Sequence, residues 1–156
     1  MDKYYFFWNG PLSNFYPSHF EDQCLSYNCT EQYFMAHKAL LFDDLRSYDL
    51  IMNCIVPARI KQYGRAVTGF NQERWDAFKC MIMFRGCLQK YLQNPDLRYI
   101  LLNTGYKIIV EASPYDKIWG IGYDQATALA NKNNWGENLL GKTLMQIRGI
   151  LQLDKE

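Results

Sequence analysis

The stretch that most constrains the fold runs from Asn71 to Leu92. Read as one helix, it places Trp75, Phe78 and Ile82 along one face and Met81, Phe84, Leu88 and Leu92 along another. A helix apolar over so much of its circumference predicts a place at the centre of the fold. Asn94-Pro95 ends it, because proline lacks the amide and clashes with the preceding turn. Shorter helices are predicted around it. Thr30 is the expected N-cap of one, with Glu31 in its first turn and an amphipathic run to Leu41. Others run from Asp44 to about Asn53, from Ala58 to Tyr63 with Gly64 closing it, and through DLRYILLNTG with Gly105 at its end. Two more start at Ala126 and at Asn138, the latter reaching Leu151. Strands are predicted at YYFFW, over residues 23–29 (QCLSYNC), and at YKIIVEAS, where Ile108, Ile109 and Val110 form a β-branched run. The fold class is mainly α, an α+β chain with a small sheet of short strands. No linker, repeat or biased tract interrupts it, so one compact domain is expected over residues 1–156.

The chain has 156 residues, 49% hydrophobic and 21% charged, which suits a folded core and not a disordered chain. A formal charge of +1 excludes the broad basic field of a non-specific nucleic-acid binder, although a local phosphate pocket remains compatible with it. No apolar run approaches the ~18 residues of a membrane span, and MDKYYFFWNG lacks a basic leader and a cleavage site. A soluble, cytoplasmic protein without a membrane partner is expected. Five cysteines with no CxxC pair predict reduced, mostly buried thiols, with neither a disulfide framework nor a metal site. Aromatic residues at 16% fill a core and also offer stacking surfaces for a base or nucleotide.

Four stretches look unlike scaffold. In SNFYP, Asn14 sits among turn formers, where an Asx turn and a site residue are both open. In TEQYFMAHKA, Glu31 lies where the helix dipole favours an anion, and Lys38 projects from the same face nearly two turns later. A surface ion-pair network explains that spacing as well as a site does, and His37 reads as a packed or solvated histidine. VEASPYDKIWGIG sets Glu111, Asp116 and Trp119 in a Gly- and Pro-shaped loop after a strand, the setting in which rigid scaffolds display reactive groups. Its WGIG is not a dinucleotide fingerprint, since G-x-G-x-x-G is not completed. In WGENLLGKTLMQIR, Asn138 reads as a helix cap and Arg148 as a candidate anion ligand.

These residues suit chemistry at an anomeric carbon without selecting it over a binding pocket. SNFYP, TEQYF with Lys38 after it, the Gly64-Arg65 pair, Trp75, EASPYDKIWGIG and GENLLGKTLMQIR occur in this order from about Asn9 to Leu151. In that order they resemble the NADAR superfamily, including its YbiA-like N-glycosidases. Many members read Glu-His-Tyr where this chain has Glu31-Gln32-Tyr33, so the resemblance carries no catalytic role to position 32.

The resemblance implies a mainly helical single domain that hydrolyses N-glycosidic bonds of phosphorylated ribosides, without metal or cofactor. In the YbiA-like branch the substrates are ribosylamino-pyrimidine phosphates of early riboflavin synthesis. Other branches imply removal of ADP-ribose from guanine bases, in which case ADP-ribosylated nucleic acid becomes a partner. A non-catalytic ADP-ribose or nucleotide-binding module is a further alternative, as is an RNA binder stacking bases on its aromatics. By analogy with glycosidases, Glu31 faces the cationic sugar and orients water, while Asp116 assists the leaving nitrogen or shares water activation. Trp75 and Trp119 are expected to sandwich base or ribose. Lys38 and Arg65 are expected to hold phosphate, with Lys38 alternatively near the sugar hydroxyls. Asn14 and Glu111 are expected to hold hydroxyls or the base edge.

Overall fold

A computed structural model describes residues 2–154. The chain forms two compact units, Asn14–Asn94 and Met1–Ser13 with Pro95–Glu156. The first holds a hairpin of β2 (Phe20–Asp22) and β3 (Leu25–Tyr27), then helices α1 (Thr30–Leu41), α2 (Leu45–Met52), α3 (Pro57–Arg65) and α4 (Gln72–Gln93). The second holds β1 (Tyr4–Phe7), α5 (Pro95–Asn103), β4 (Ile108–Glu111), α6 (Gln125–Ala128), a 3-10 turn over Leu129–Asn134 and α7 (Leu139–Leu153). Helices dominate two small sheets, as the residue pattern predicts.

In the first unit the centre is α1, not α4. Helix α1 packs against α2, α3, α4 and β3, and it buries every residue from Thr30 to Ala36. Helix α4 buries one stripe, including Trp75, Ile82, Met83, Cys87 and Tyr91, and leaves Met81 and Leu92 in water. Apolar residues on a second face thus do not make a helix central. The two helices approach closely at Gly86, where a Cβ would stand 2.5 Å from the Tyr33 ring. Tyr33 donates to the Asp22 carboxylate at 2.8 Å, tying α1 to the hairpin.

Local corrections follow from tertiary demands. Cys29, not Thr30, holds the N-cap position of α1, and no side chain caps it. Residues 23–29 form part of a hairpin instead of one strand, because Gln23 and Cys24 turn the chain with φ of 50° and 66°. Such a turn is normally signalled by Asn-Gly, and Gln-Cys carries no such signal. Gly64 lies inside α3 and does not end it; a side chain there would collide with Met35. Asp44 caps α2, accepting from the Ser47 amide and hydroxyl and from the Thr68 amide and hydroxyl. Those hydrogen bonds hold its carboxyl well below the usual carboxylate range.

In the second unit β1 and β4 pair in parallel, with Tyr4 opposite Ile108 and Phe7 opposite Glu111. Val110, Ile121 and Ala128 form a buried cluster, with Tyr4, Phe6 and Trp135 packed on it. Asn138 does not cap α7 through its side chain. Its Oδ1 accepts from the Glu111 amide at 3.0 Å and its Nδ2 donates to the Ile109 carbonyl at 2.9 Å. It therefore satisfies backbone groups of β4 as a neighbouring strand would. Arg148 is likewise structural, donating to the Thr104 hydroxyl and the Lys107 carbonyl, both at 2.8 Å.

No disulfide joins the cysteines. Cys29 and Cys87 are buried, Cys54 is half-buried, and Cys24 and Cys80 are exposed, so fewer thiols are buried than expected. Among the described residues no helix is long and apolar enough to cross a membrane.

Candidate active site

The Asn14–Asn94 unit brings together five of the expected residues. Helix α1 sets Glu31 in its first turn, only 7% exposed, and Lys38 in its last. The Glu31 amide donates to the Asn14 carbonyl at 3.0 Å, and the Asn14 side-chain amide approaches the Met83 sulfur at 3.5 Å. Asn14 is thus built into the wall beside the α1 N-terminus.

The Lys38 ammonium lies 4.9 Å from the centre of the Phe70 ring and 5.4 Å from that of Trp75. Burial lowers its pKa, the Glu31 charge pushes it back up, and Arg65 pushes it down again. Lys38 therefore senses both of the other charges. Trp75 is 8% exposed, with Phe34 at 5.0 Å between ring centres, so little of its ring is open to a ligand. It serves chiefly as a seat for Lys38. Arg65 ends α3 as an exposed side chain, not as a residue following a turn. Phe34 had a local signal, standing four residues before Lys38 on the same helix face. Phe70 had none, because it comes from the segment between α3 and α4.

His37 and Gln32 belong to the scaffold. The His37 ring stacks on Tyr33 at 4.0 Å, and its Nδ1 bonds the Tyr33 carbonyl at 2.9 Å. Gln32 accepts from the Asn28 amide at 2.8 Å and donates to the carbonyls of Ile51, Met52 and Cys54 at 3.1–3.3 Å.

The other unit carries Glu111, Asp116 and Trp119. Glu111 ends β4, half-buried, with its Oε2 shielded from water. Asp116 accepts from the Ile118 and Trp119 amides at 2.8 and 2.9 Å, a turn that shapes the loop. The loop is pinned along its length. The amides of Asn138, Leu139 and Leu140 donate to the carbonyls of Gly120, Ile118 and Trp119. Among the described residues no group of three or more His, Cys, Asp or Glu is placed to hold a metal ion.

A family model described as the NADAR domain matches residues 5–152. The chain belongs to the NADAR domain family. N-glycosidase R617 of Acanthamoeba polyphaga mimivirus is 45% identical, over 94% of this chain and 95% of that protein. Protein irg-1 of Caenorhabditis elegans is 40% identical, over 93% of this chain and 77% of its own. Riboflavin biosynthesis protein PYRR of Zea mays is 29% identical, over 89% of this chain and 23% of that longer protein. Among solved structures, that of Escherichia coli YbiA superposes with a TM-score of 0.82 at 26% identity, covering 99% of this chain and 89% of that one. The NADAR match spans residues from both units, and the EASPYDKIWGIG loop and the TEQYF helix both fall inside it.

Proposed function

We propose that this NADAR chain hydrolyses the N-glycosidic bond of a phosphorylated riboside, with ribosylamino-pyrimidine phosphates as the substrate class. An N-glycosyl hydrolase agrees with the name of the mimivirus relative, and a place in riboflavin synthesis with that of the maize relative. The observation that carries it is Glu31 in the buried first turn of α1, within reach of the electrostatic influence of Lys38.

Cleaving a C–N bond at an anomeric carbon builds positive charge on the sugar, and a fixed carboxylate stabilises that charge without reorganising. Glu31 takes this role and orients water. Lys38 and Arg65 supply cations for the phosphate or a sugar hydroxyl, and Trp75 holds Lys38 in place. Asn14 contacts the sugar hydroxyls. In the other unit, Asp116 assists the departing nitrogen, Glu111 holds a hydroxyl or base edge, and Trp119 stacks. The domain is the whole of residues 1–156, and it acts in the cytoplasm, where thiols stay reduced.

The test is incubation of the protein with a ribosylamino-pyrimidine 5-phosphate and, separately, with ADP-ribosylated guanine DNA, followed by mass spectrometry. Free pyrimidine and ribose 5-phosphate from the first mixture support the proposal. Release of ADP-ribose from the second alone transfers the activity to guanine adducts. Tight binding of either without release makes the chain a binding module.

A further inference from the structure

Outside the residues assigned above, one exposed aromatic pair stands at the end of the parallel sheet. Trp8 follows Phe7, the last residue of β1, and Phe7 lies in register with Glu111, the last residue of β4. The Ala112 amide then donates to the Phe7 carbonyl at 2.7 Å. Both strands therefore end at one edge of the sheet. Trp8 leaves that edge from β1, and the loop bearing Tyr115, Asp116 and Trp119 leaves it from β4.

At this edge the Trp8 and Tyr115 rings lie 5.8 Å apart between centres, tilted by 54°. They are 43% and 85% exposed. The exposure does not come from a loose segment. Ala112 and Ser113 at the base of the loop are buried, the Ser113 hydroxyl accepts from the Tyr115 amide, and Asp116 ties the next turn. Other aromatics of this unit face one another instead: Tyr4 and Phe6 pack edge-on against Trp135.

We propose that Trp8 and Tyr115 form a stacking platform for the flat heteroaromatic base that leaves from the substrate. The proposal rests on the reading that the chain cleaves an N-riboside. Every base presents a π face, so two rigid rings bind it through stacking without reading its edge. The local charge favours the base over the phosphate end of the ligand. Glu111 and Asp116 are the acids of residues 111–119, and Lys117, the cation among them, lays its stem against Gly122. A phosphate is repelled by that acidic run, whereas a neutral ring carries no charge for it to oppose.

The experiment titrates wild-type protein, Trp8→Ala and Tyr115→Ala with two probes, a diaminopyrimidine base and ribose 5-phosphate, following affinity by calorimetry. Trp8→Phe and Tyr115→Phe serve as conservative variants, and melting curves confirm that each variant is folded. The alanine variants are expected to bind the base about tenfold or more weakly and ribose 5-phosphate as wild type does, with the phenylalanine variants close to wild type. In turnover of the riboside, the alanine variants raise KM and leave kcat within a small factor. Wild-type protein that does not bind the base overturns the platform, as do alanine variants that bind it normally or lose both probes equally. Wild-type protein that binds the base through Trp8 yet hydrolyses no riboside keeps the platform and sinks the hydrolase. Full hydrolysis with unchanged KM in both alanine variants does the reverse.

Discussion

The ammonium of Lys38 stands 5.4 Å from the centre of the Trp75 ring, four residues beyond the tight seat that Phe34 makes with the same indole. A cation held over ring faces is stabilised by them, while its removal from water works in the opposite sense. Here burial dominates and lowers the Lys38 pKa. Affinity for ribose 5-phosphate is therefore expected to fall as pH rises through a value below the ordinary lysine value of about 10.4. In Lys38→Arg the guanidinium stays charged, so that alkaline loss should vanish even if overall affinity drops. Calorimetric titration between pH 7 and 10 compares the two, and identical profiles contradict the assignment.

Glu31→Gln keeps the size of the side chain and removes its charge. Turnover of the riboside is expected to fall ~10²–10³-fold, the cost of losing one preorganised electrostatic contact. The change in stability should stay within ~1 kcal/mol, as for a charge at a helix N-terminus. Single-turnover rates beside denaturation curves measure both. A folded variant that hydrolyses at the wild-type rate removes Glu31 from the chemistry.

Arg65 is exposed at the end of α3, so its loss leaves the fold intact. Arg65→Ala is expected to weaken a phosphorylated riboside by ~1–3 kcal/mol and an unphosphorylated one hardly at all. Equal losses for the two ligands place Arg65 away from the phosphate.

Gln32 meets three carbonyls near the end of α2 with one buried amide. Gln32→Ala leaves buried backbone groups without their donor, at an expected cost of ~2–3 kcal/mol. Urea denaturation reads this directly, and turnover per folded molecule should not change. A stable variant with lost turnover would assign position 32 to catalysis.

Lys90 is 1% exposed on α4, with its ammonium 5.0 Å from the Tyr91 ring centre. Burial pushes its pKa down to about 8, although Cys87 and Cys29 favour the charge. In the unfolded chain the same group titrates near 10.4. Below pH 8 both states hold the proton, and the folded state bears the whole cost of the buried charge. Between about pH 8 and 10.4 the unfolded state holds more protons, so the Lys90 contribution to stability rises with pH. Comparison with Lys90→Met cancels the contributions of groups that do not sense Lys90; the Cys29 thiol does sense it, but burial pushes that thiol up to about 11, above the window. The stability of wild type relative to Lys90→Met should increase across that window, and a flat difference refutes it.

The elements legible in the sequence are those whose causes lie within a few residues. Asn71 accepts from the Arg74 amide and Asp44 from the Ser47 amide, so both helix starts are local capping events. Pro95 ends α4, and the β-branched run at 108–110 forms β4. Of the candidate site, the sequence marks the first turn of α1, where Glu31 stands, and the turn that Asp116 shapes, both local features. What sequence could not supply is the choice of distant partners. Asn138 has the composition of a cap, yet it bonds β4 more than two dozen residues upstream, because the exposed edge of that strand is a stronger demand than the helix start. Gly64 looks like a helix end, yet it sits inside α3 because Met35 needs the room. Phe70 reaches Lys38 from a connecting segment, and Trp75 spends its ring on Phe34 and Lys38. Backbone preference acts over one turn and is written in adjacent residues; burial and hydrogen-bond satisfaction act over the whole chain and exist only once it has folded.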